Sequence, residues 1–313
     1  MEKLAIDKSK FTPLSAEEKR VEVAVRPSIG YWKDVWNRLK SNKMAIGGLV
    51  VIIAIVLAAI FVPIFSSYTY DLNDLSMANS RPSSEHWFGT DQLGRDIFVR
   101  VFFGARYSLI IAVVAAIINL IIGVAYGGIA GYFGGTVDNI LMRLVDIISS
   151  IPLTIYVIIF MAILSKPGEG GSGLGTIILA LSISYWISMA RIVRGDVLQL
   201  KQQEFVLAAK SLGVSDFKIL IKHLIPNCVG SIMVTLTLLI PEAVFTEAFL
   251  SFIGLGLTPP IASLGTLAND AMNSIYTYPY QLVPPAAAIC LIILAFNLFS
   301  DGLSDALDPK NKR

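Results

Sequence analysis

The sequence predicts an all-α integral membrane protein with six transmembrane helices, and three observations carry the prediction. Of its 313 residues, 55% are hydrophobic and 15% are charged, which is not a soluble globular composition. The apolar excess is gathered into runs of roughly 20 residues, the length an α-helix needs to cross a bilayer. The positive charges are also unevenly placed. Nineteen Lys and Arg residues fall before the first run, between the fourth and fifth, and after the sixth, whereas Arg81, Arg95, Arg100, Arg106 and Lys166 fall on the other side. By the positive-inside rule, both termini are expected in the cytoplasm.

Residues 1–29 are charged and aperiodic and read as a flexible cytoplasmic leader. The first apolar run begins near Met44, behind that leader, so it reads as an anchor and not as a cleaved signal. Over 30–43, Trp32, Val35, Trp36 and Leu39 recur on one helical face with Lys33, Arg38, Lys40 and Lys43 around it. Trp favours the headgroup level and Lys snorkels, so this segment predicts an interfacial helix in contact with membrane lipid.

The transmembrane domain is expected over 44–308. Span 1 covers about 44–65, and the polar stretch 66–106 reads as an extracytoplasmic loop. Span 2 covers about 107–130, where Gly127 and Gly131 form a small-xxx-small face for close packing. Span 3 is expected at about 137–164, bent at Ser149, Ser150 and Pro152, with Arg143 and Asp146 at i,i+3 spacing. A Gly-rich outer loop at 165–175 leads to span 4, about 176–193, which ends in Arg191 and Arg194. Span 5, about 227–253, carries Pro241, Glu242, Phe245 and Glu247. Carboxylates at membrane depth are costly. Two readings stay open for them: a pathway or gate position, or a carboxylate hydrogen-bonded within a helix bend. The stretch 254–283 is a second outer segment, span 6 covers about 284–300, and 309–313 is a cytoplasmic tail. Cys228 and Cys290 read as packing residues.

The polar interruption at 204–227 has the pattern of a short helix, a turn at Gly213, a second helix, and a stop at Pro226. Phe205, Ala208, Ala209 and Leu212 recur at three- and four-residue spacing, which predicts one small apolar face. Gly213 supplies an unrestricted backbone for the turn.

Three strings carry a family resemblance. Ala208-Ala209-x-x-x-Gly213, followed by His223-Leu224-Ile225-Pro226-Asn227, resembles the EAA signature of ABC-importer permeases, with Leu207 at the position of the signature's Glu. The run from His86-Trp87-Phe88-Gly89-Thr90-Asp91 to Leu93-Gly94-Arg95-Asp96 is similar to a motif of C-type subunits in dipeptide and oligopeptide permeases, as is the run from Glu247 to Gly256. Together they cover nearly the whole chain in the family's order.

The resemblance implies the type I ABC-importer permease fold, with 30–43 as its elbow helix. It implies that segment 201–225 couples to a cytoplasmic ATPase through Glu204, Phe205, Ala208, Ala209, Leu212, Gly213, Ser215, Phe217 and Pro226. It further implies a homologous second permease, two ATPase subunits that bind ATP and Mg, and an extracytoplasmic substrate-binding protein. His86, Trp87, Asp91, Arg95 and Asp96 become candidate contacts with the partner permease or that receptor. Pro241, Glu242, Phe245 and Glu247 remain candidates for the pathway or gate. The implied setting is a bacterial or archaeal plasma membrane.

The sequence itself contains no G-x-x-x-x-G-K-[ST] phosphate loop and no metal-ligand cluster. It is therefore read as non-enzymatic and without a cofactor of its own, and nothing in it points to nucleic acid. The same architecture could carry another solute, such as nickel, glutathione or a sugar. A channel or ion-coupled transporter using Glu242 and Glu247 is the remaining alternative.

Overall fold

The computed structural model describes residues 30–164 and 173–308. The expected leader, most of the outer loop at 165–175 and the tail at 309–313 lie outside the described residues. The chain divides into a unit ending at Asp34 and a unit from Val35 onward. Of the first unit, 30–34 are described, and they open the helix α1 (Tyr31–Ser41).

Five helices are long and apolar enough to span a membrane. They are α2 (Lys43–Phe65), α3 (Ile97–Phe133), α6 (Leu174–Leu200), α10 (Val229–Phe252) and α12 (Val283–Leu307). The pair α4 (Gly135–Ser149) and α5 (Leu153–Leu164) passes the same test taken together, bent by 77° at its break. Its break falls at the expected residues. The hydroxyls of Ser149 and Ser150 donate to the carbonyls of Asp146 and Ile147 at 3.1 and 2.7 Å, and Pro152 has no N–H to continue the ladder. Among the described residues there is no β-strand, only an isolated bridge between Thr90 and Asp96.

α2 starts at a capped end, with the Asn42 side chain accepting from the Met44 and Ala45 amides at 3.1 and 3.2 Å. α3 has 37 residues. At ~1.5 Å per residue it is ~55 Å long, against a hydrocarbon core of ~30 Å. It begins inside the stretch read as loop 66–106, so 97–106 are helical.

α3 packs along α6 through a glycine seam. A methyl at Gly131 would lie 2.8 Å from the Arg194 carbonyl oxygen, and one at Gly123 would lie 2.9 Å from that of Trp186. The seam therefore requires glycine and extends the Gly127–Gly131 pattern by one turn. The main core joins Ile111 and Ala115 of α3, Leu181 of α6, Val244 of α10 and Ile292 of α12, all nearly inaccessible.

Val35 and Leu39 of α1 pack on Ala45 of α2 and on Leu303, Ala306 and Leu307 of α12. Trp36 does not share that face; it is 45% exposed, with Lys40 Nζ 5.1 Å from its ring. Cys228 is buried, while Cys290 lies on an exposed face of α12. Two further expectations are corrected. Asp146 pairs with Arg191 of α6 at 3.2 Å, and not with Arg143; the partner helix offers a guanidinium that the i,i+3 spacing cannot reveal. Pro226 also stops nothing: it sits in the first turn of α9 (Ile225–Asn227), where a missing N–H costs no hydrogen bond, and the chain runs on into α10.

Candidate functional site

The segment between α6 and α10 is built on the end of α3. Lys201 Nζ donates to the carbonyls of Gly131 and Tyr132 at 2.9 and 3.3 Å, satisfying acceptors that the last turn of α3 leaves free. α7 (Glu204–Ser211) opens with Glu204, an acidic residue suited to a helix N-terminus. Its buried side chains are Val206 and Ala209, which join Ile219, Leu220 and Leu224 in one apolar cluster.

The turn closes as the Leu212 and Gly213 amides donate to Ala208 and Lys210 carbonyls at 3.1 and 2.9 Å. Gly213 has φ +74°, a conformation that side-chain-bearing residues rarely adopt. Ser215 precedes α8 (Asp216–Ile219), and a π-helical turn, Leu220–Leu224, follows. The Tyr132 hydroxyl donates to Asp216 Oδ1, and Lys210 Nζ lies 5.5 Å from the Tyr132 ring. Tyr132 therefore connects α3 to both short helices.

The apolar face expected at Phe205, Ala208, Ala209 and Leu212 is divided by the fold. Ala209 turns into the core, whereas Leu212 is 83% exposed, Phe217 72% and Leu207 57%. Phe205 and Ala208 are also exposed. Leu207 at the signature's Glu position thus extends an outward apolar surface. Pro226 and Ser215 are exposed, away from the buried cluster.

At the other end of α3, most of the expected contact residues are engaged internally. His86 Nδ1 lies 2.8 Å from Asp96 Oδ2, and both residues are buried. The Asp96 Oδ1 caps α3 by accepting from the Val99 amide at 2.8 Å. Asp91 Oδ1 accepts from the Leu93 and Arg95 amides at 2.9 and 3.0 Å, and its Oδ2 accepts from Arg95 Nε at 2.7 Å and from Arg100 Nη1. Trp87 is the member left open, 64% exposed and edge-on to Phe98. Nearby, the hydroxyl and amide of Ser76 donate to Asp74 and hold its carboxyl below the usual carboxylate range.

Sequence reasoning missed Arg100, Asp270, Tyr280 and Gln281 in this cluster. Gln281 Nε2 donates to Asn79 Oδ1 and to the Thr90 carbonyl at 2.9 and 3.0 Å, and the Tyr280 hydroxyl donates to the Asn79 carbonyl at 2.8 Å. The two sides are about 200 residues apart in sequence, so no local spacing could have joined them.

The two span carboxylates part company. Glu247 is fully buried, and its oxygens accept from the hydroxyls of Ser108 and Ser251, each at 2.7 Å. Ser263 donates onward to the Ser251 hydroxyl at 3.2 Å, and Ser108 accepts from the Leu264 amide at 3.3 Å. Glu247 thereby ties α10 to α3 and to the start of α11 (Leu264–Met272). Glu242 lies on an exposed face of α10 with Phe245 and Phe249, while Pro241 is buried. Asp138 of α4 pairs with Arg194 of α6 through two guanidinium nitrogens.

A bundle of five long apolar helices and one bent apolar pair, with a helix–glycine–helix segment between two of them, defines a polytopic membrane permease. The chain belongs to the family described as binding-protein-dependent transport system inner membrane components, matched over residues 123–313, and its residues 30–82 match the N-terminal domain of oligopeptide transport permease C. It is 49% identical over 308 residues to the oligopeptide transport system permease protein OppC of Bacillus subtilis (strain 168), covering 98% of this chain and 99% of that protein. It is 46% identical to the dipeptide transport system permease protein DppC of the same organism, with 96% and 92% covered. The Escherichia coli (strain K12) oligopeptide permease OppC is 39% identical, with 99% and 100% covered.

Proposed function

We propose that this chain is one of two permease subunits of an ATP-driven peptide importer. The names of its relatives supply the cargo class, di- or oligopeptides. The observation that carries the mechanism is the outward apolar surface of α7 and α8, formed by Phe205, Leu207, Leu212 and Phe217 beside the Gly213 turn. Large exposed apolar side chains in a polar interhelical segment mark a protein contact. In this reading they seat in a cytoplasmic ATPase subunit, and both chain termini are on that same side.

ATP and Mg are held by the ATPase pair, and hydrolysis occurs there. Movement of the docked segment reaches α3 through Tyr132 and Lys201, and reaches α6 and α10 through its covalent ends. The permease pair then alternates between two arrangements, with the segment as the element that biases them. Glu242 and Phe245 face the second permease or the pathway between the two subunits, since an exposed carboxylate within a span avoids lipid. A substrate-binding protein delivers cargo at the opposite end, where Trp87 is exposed. The setting is a bacterial or archaeal plasma membrane.

The test is gentle solubilisation of the tagged chain, followed by mass spectrometry and an ATPase assay on the eluate. Recovery of a second permease and ATPase subunits, with hydrolysis stimulated by a peptide-loaded binding protein, is the expected result. A chain that elutes alone from membranes competent for uptake would refute the proposal.

A further inference from the structure

A cavity of about 800 Å³ opens beside the start of α3, a size typical of small-molecule sites. Leu257, Pro260 and Ile261 give it an apolar wall, and Arg95 and Arg100, with Asp71, Asp91 and Asp270, give it a charged one. Arg100 is only 4% exposed. Its Nη1 is engaged by Asp91, as is Nε of Arg95. The outer nitrogens are not so well satisfied. Arg95 Nη2 and Arg100 Nη2 lie 4.0 and 3.8 Å from the same Asp270 oxygen, beyond hydrogen-bond reach. The Asp270 side chain is itself 56% exposed.

Two fixed guanidinium groups thus converge on one carboxylate that they do not fully grasp. Asp91 uses both of its oxygens to hold them in place and has no capacity left for their outer nitrogens. Guanidinium groups pair best with a carboxylate that meets their nitrogens at about 2.7–2.9 Å. The outer guanidinium nitrogens border the open volume, where a better-placed carboxylate can meet them.

We propose that this cavity is a carboxylate-binding site that receives the α-carboxylate of a peptide, with Asp270 as an internal competitor that yields to it. The peptide's side chains then lie along the Leu257, Pro260 and Ile261 wall. The assignment of peptide as the carboxylate's bearer rests on the proposed function above. The site would give the permease its own preference for a free C-terminus, separate from that of the binding protein.

The test uses the complete importer purified without its binding protein, and measures affinity for trialanine and for trialanine amide. The wild type is expected to bind the acid at least tenfold more tightly than the amide. Asp270→Asn removes the competitor and is expected to tighten acid binding severalfold, and Arg95→Gln is expected to bring acid and amide within twofold. Because Arg95 also braces Asp91, the Asp270→Asn variant provides an arm that does not depend on Arg95. Equal affinities in the wild type, or no gain in acid affinity in Asp270→Asn, would overturn the site. Cellular uptake of trialanine separates the two proposals. Intact uptake without acid–amide discrimination removes the site and leaves the importer, whereas discrimination without uptake keeps the site and removes the peptide cargo.

Discussion

The two ends of α3 treat their surroundings in opposite ways. At its N-terminal end, Asp91, Asp96, His86 and Thr90 of the 66–96 stretch, together with Gln281, bond within the chain. At its C-terminal end, α7 and α8 are held by a small apolar cluster and by Tyr132 and Lys201, while Leu212 and Phe217 project outward. One end is braced mainly from within the chain, and the other presents the apolar surface proposed above as the ATPase contact. The proposed importer needs both: a fixed frame at one side and a surface that gains its remaining contacts only on assembly.

The contrast can be broken by substitution, and the largest effect is expected at the braced end. Asp91→Ala leaves two guanidinium groups, one of them buried, without their anchor, and removing one partner of a buried ion pair costs about 3–5 kcal/mol. Thermal unfolding of the purified chain in detergent should show that loss, and an unchanged midpoint would mean the network contributes little. At the other end, Leu212→Asp should leave thermal stability within about 0.5 kcal/mol, since the residue is exposed. It should weaken ATPase association by about 2 kcal/mol, or roughly 30-fold. Co-purification yields would show this, and an undiminished yield would place the contact elsewhere. The smallest effect is expected where α8 joins the end of α3. Tyr132→Phe deletes one hydrogen bond to Asp216, worth about 1 kcal/mol, and should lower uptake per ATP hydrolysed while leaving assembly intact. A ratio equal to that of the wild type would remove Tyr132 from the route of transmission.

The same contrast explains what could be read in advance. Hydropathy runs locate the five long apolar helices and the bent pair α4–α5, and Ser149, Ser150 and Pro152 locate its break, because both signals are local. The Gly127–Gly131 pair marks its seam for the same reason. Arg100 and Asp270 gave no such signal, since Arg100 meets Asp91 nine positions away and Asp270 lies in another element. Glu247 has the same limit: Ser251 is one turn away, but Ser108 is 139 positions distant, so its hydrogen-bonded environment had no complete local signature. In α7 the period was visible but the inward side was not. Eight residues define a face only loosely, and Ala209 is small enough to fit either side until Val206 sets the orientation.

The measurement that tests the central claim most directly is ATP hydrolysis and trialanine uptake recorded side by side in proteoliposomes holding the complete importer, wild type and Gly213→Pro. Proline is confined to φ near −65° and cannot adopt the +74° of this turn. The variant is expected to insert and hydrolyse ATP but to take up peptide at under a tenth of the wild-type rate. Uptake equal to that of the wild type would contradict it, because the helix–glycine–helix segment would then not be the element that carries ATPase motion into the bundle.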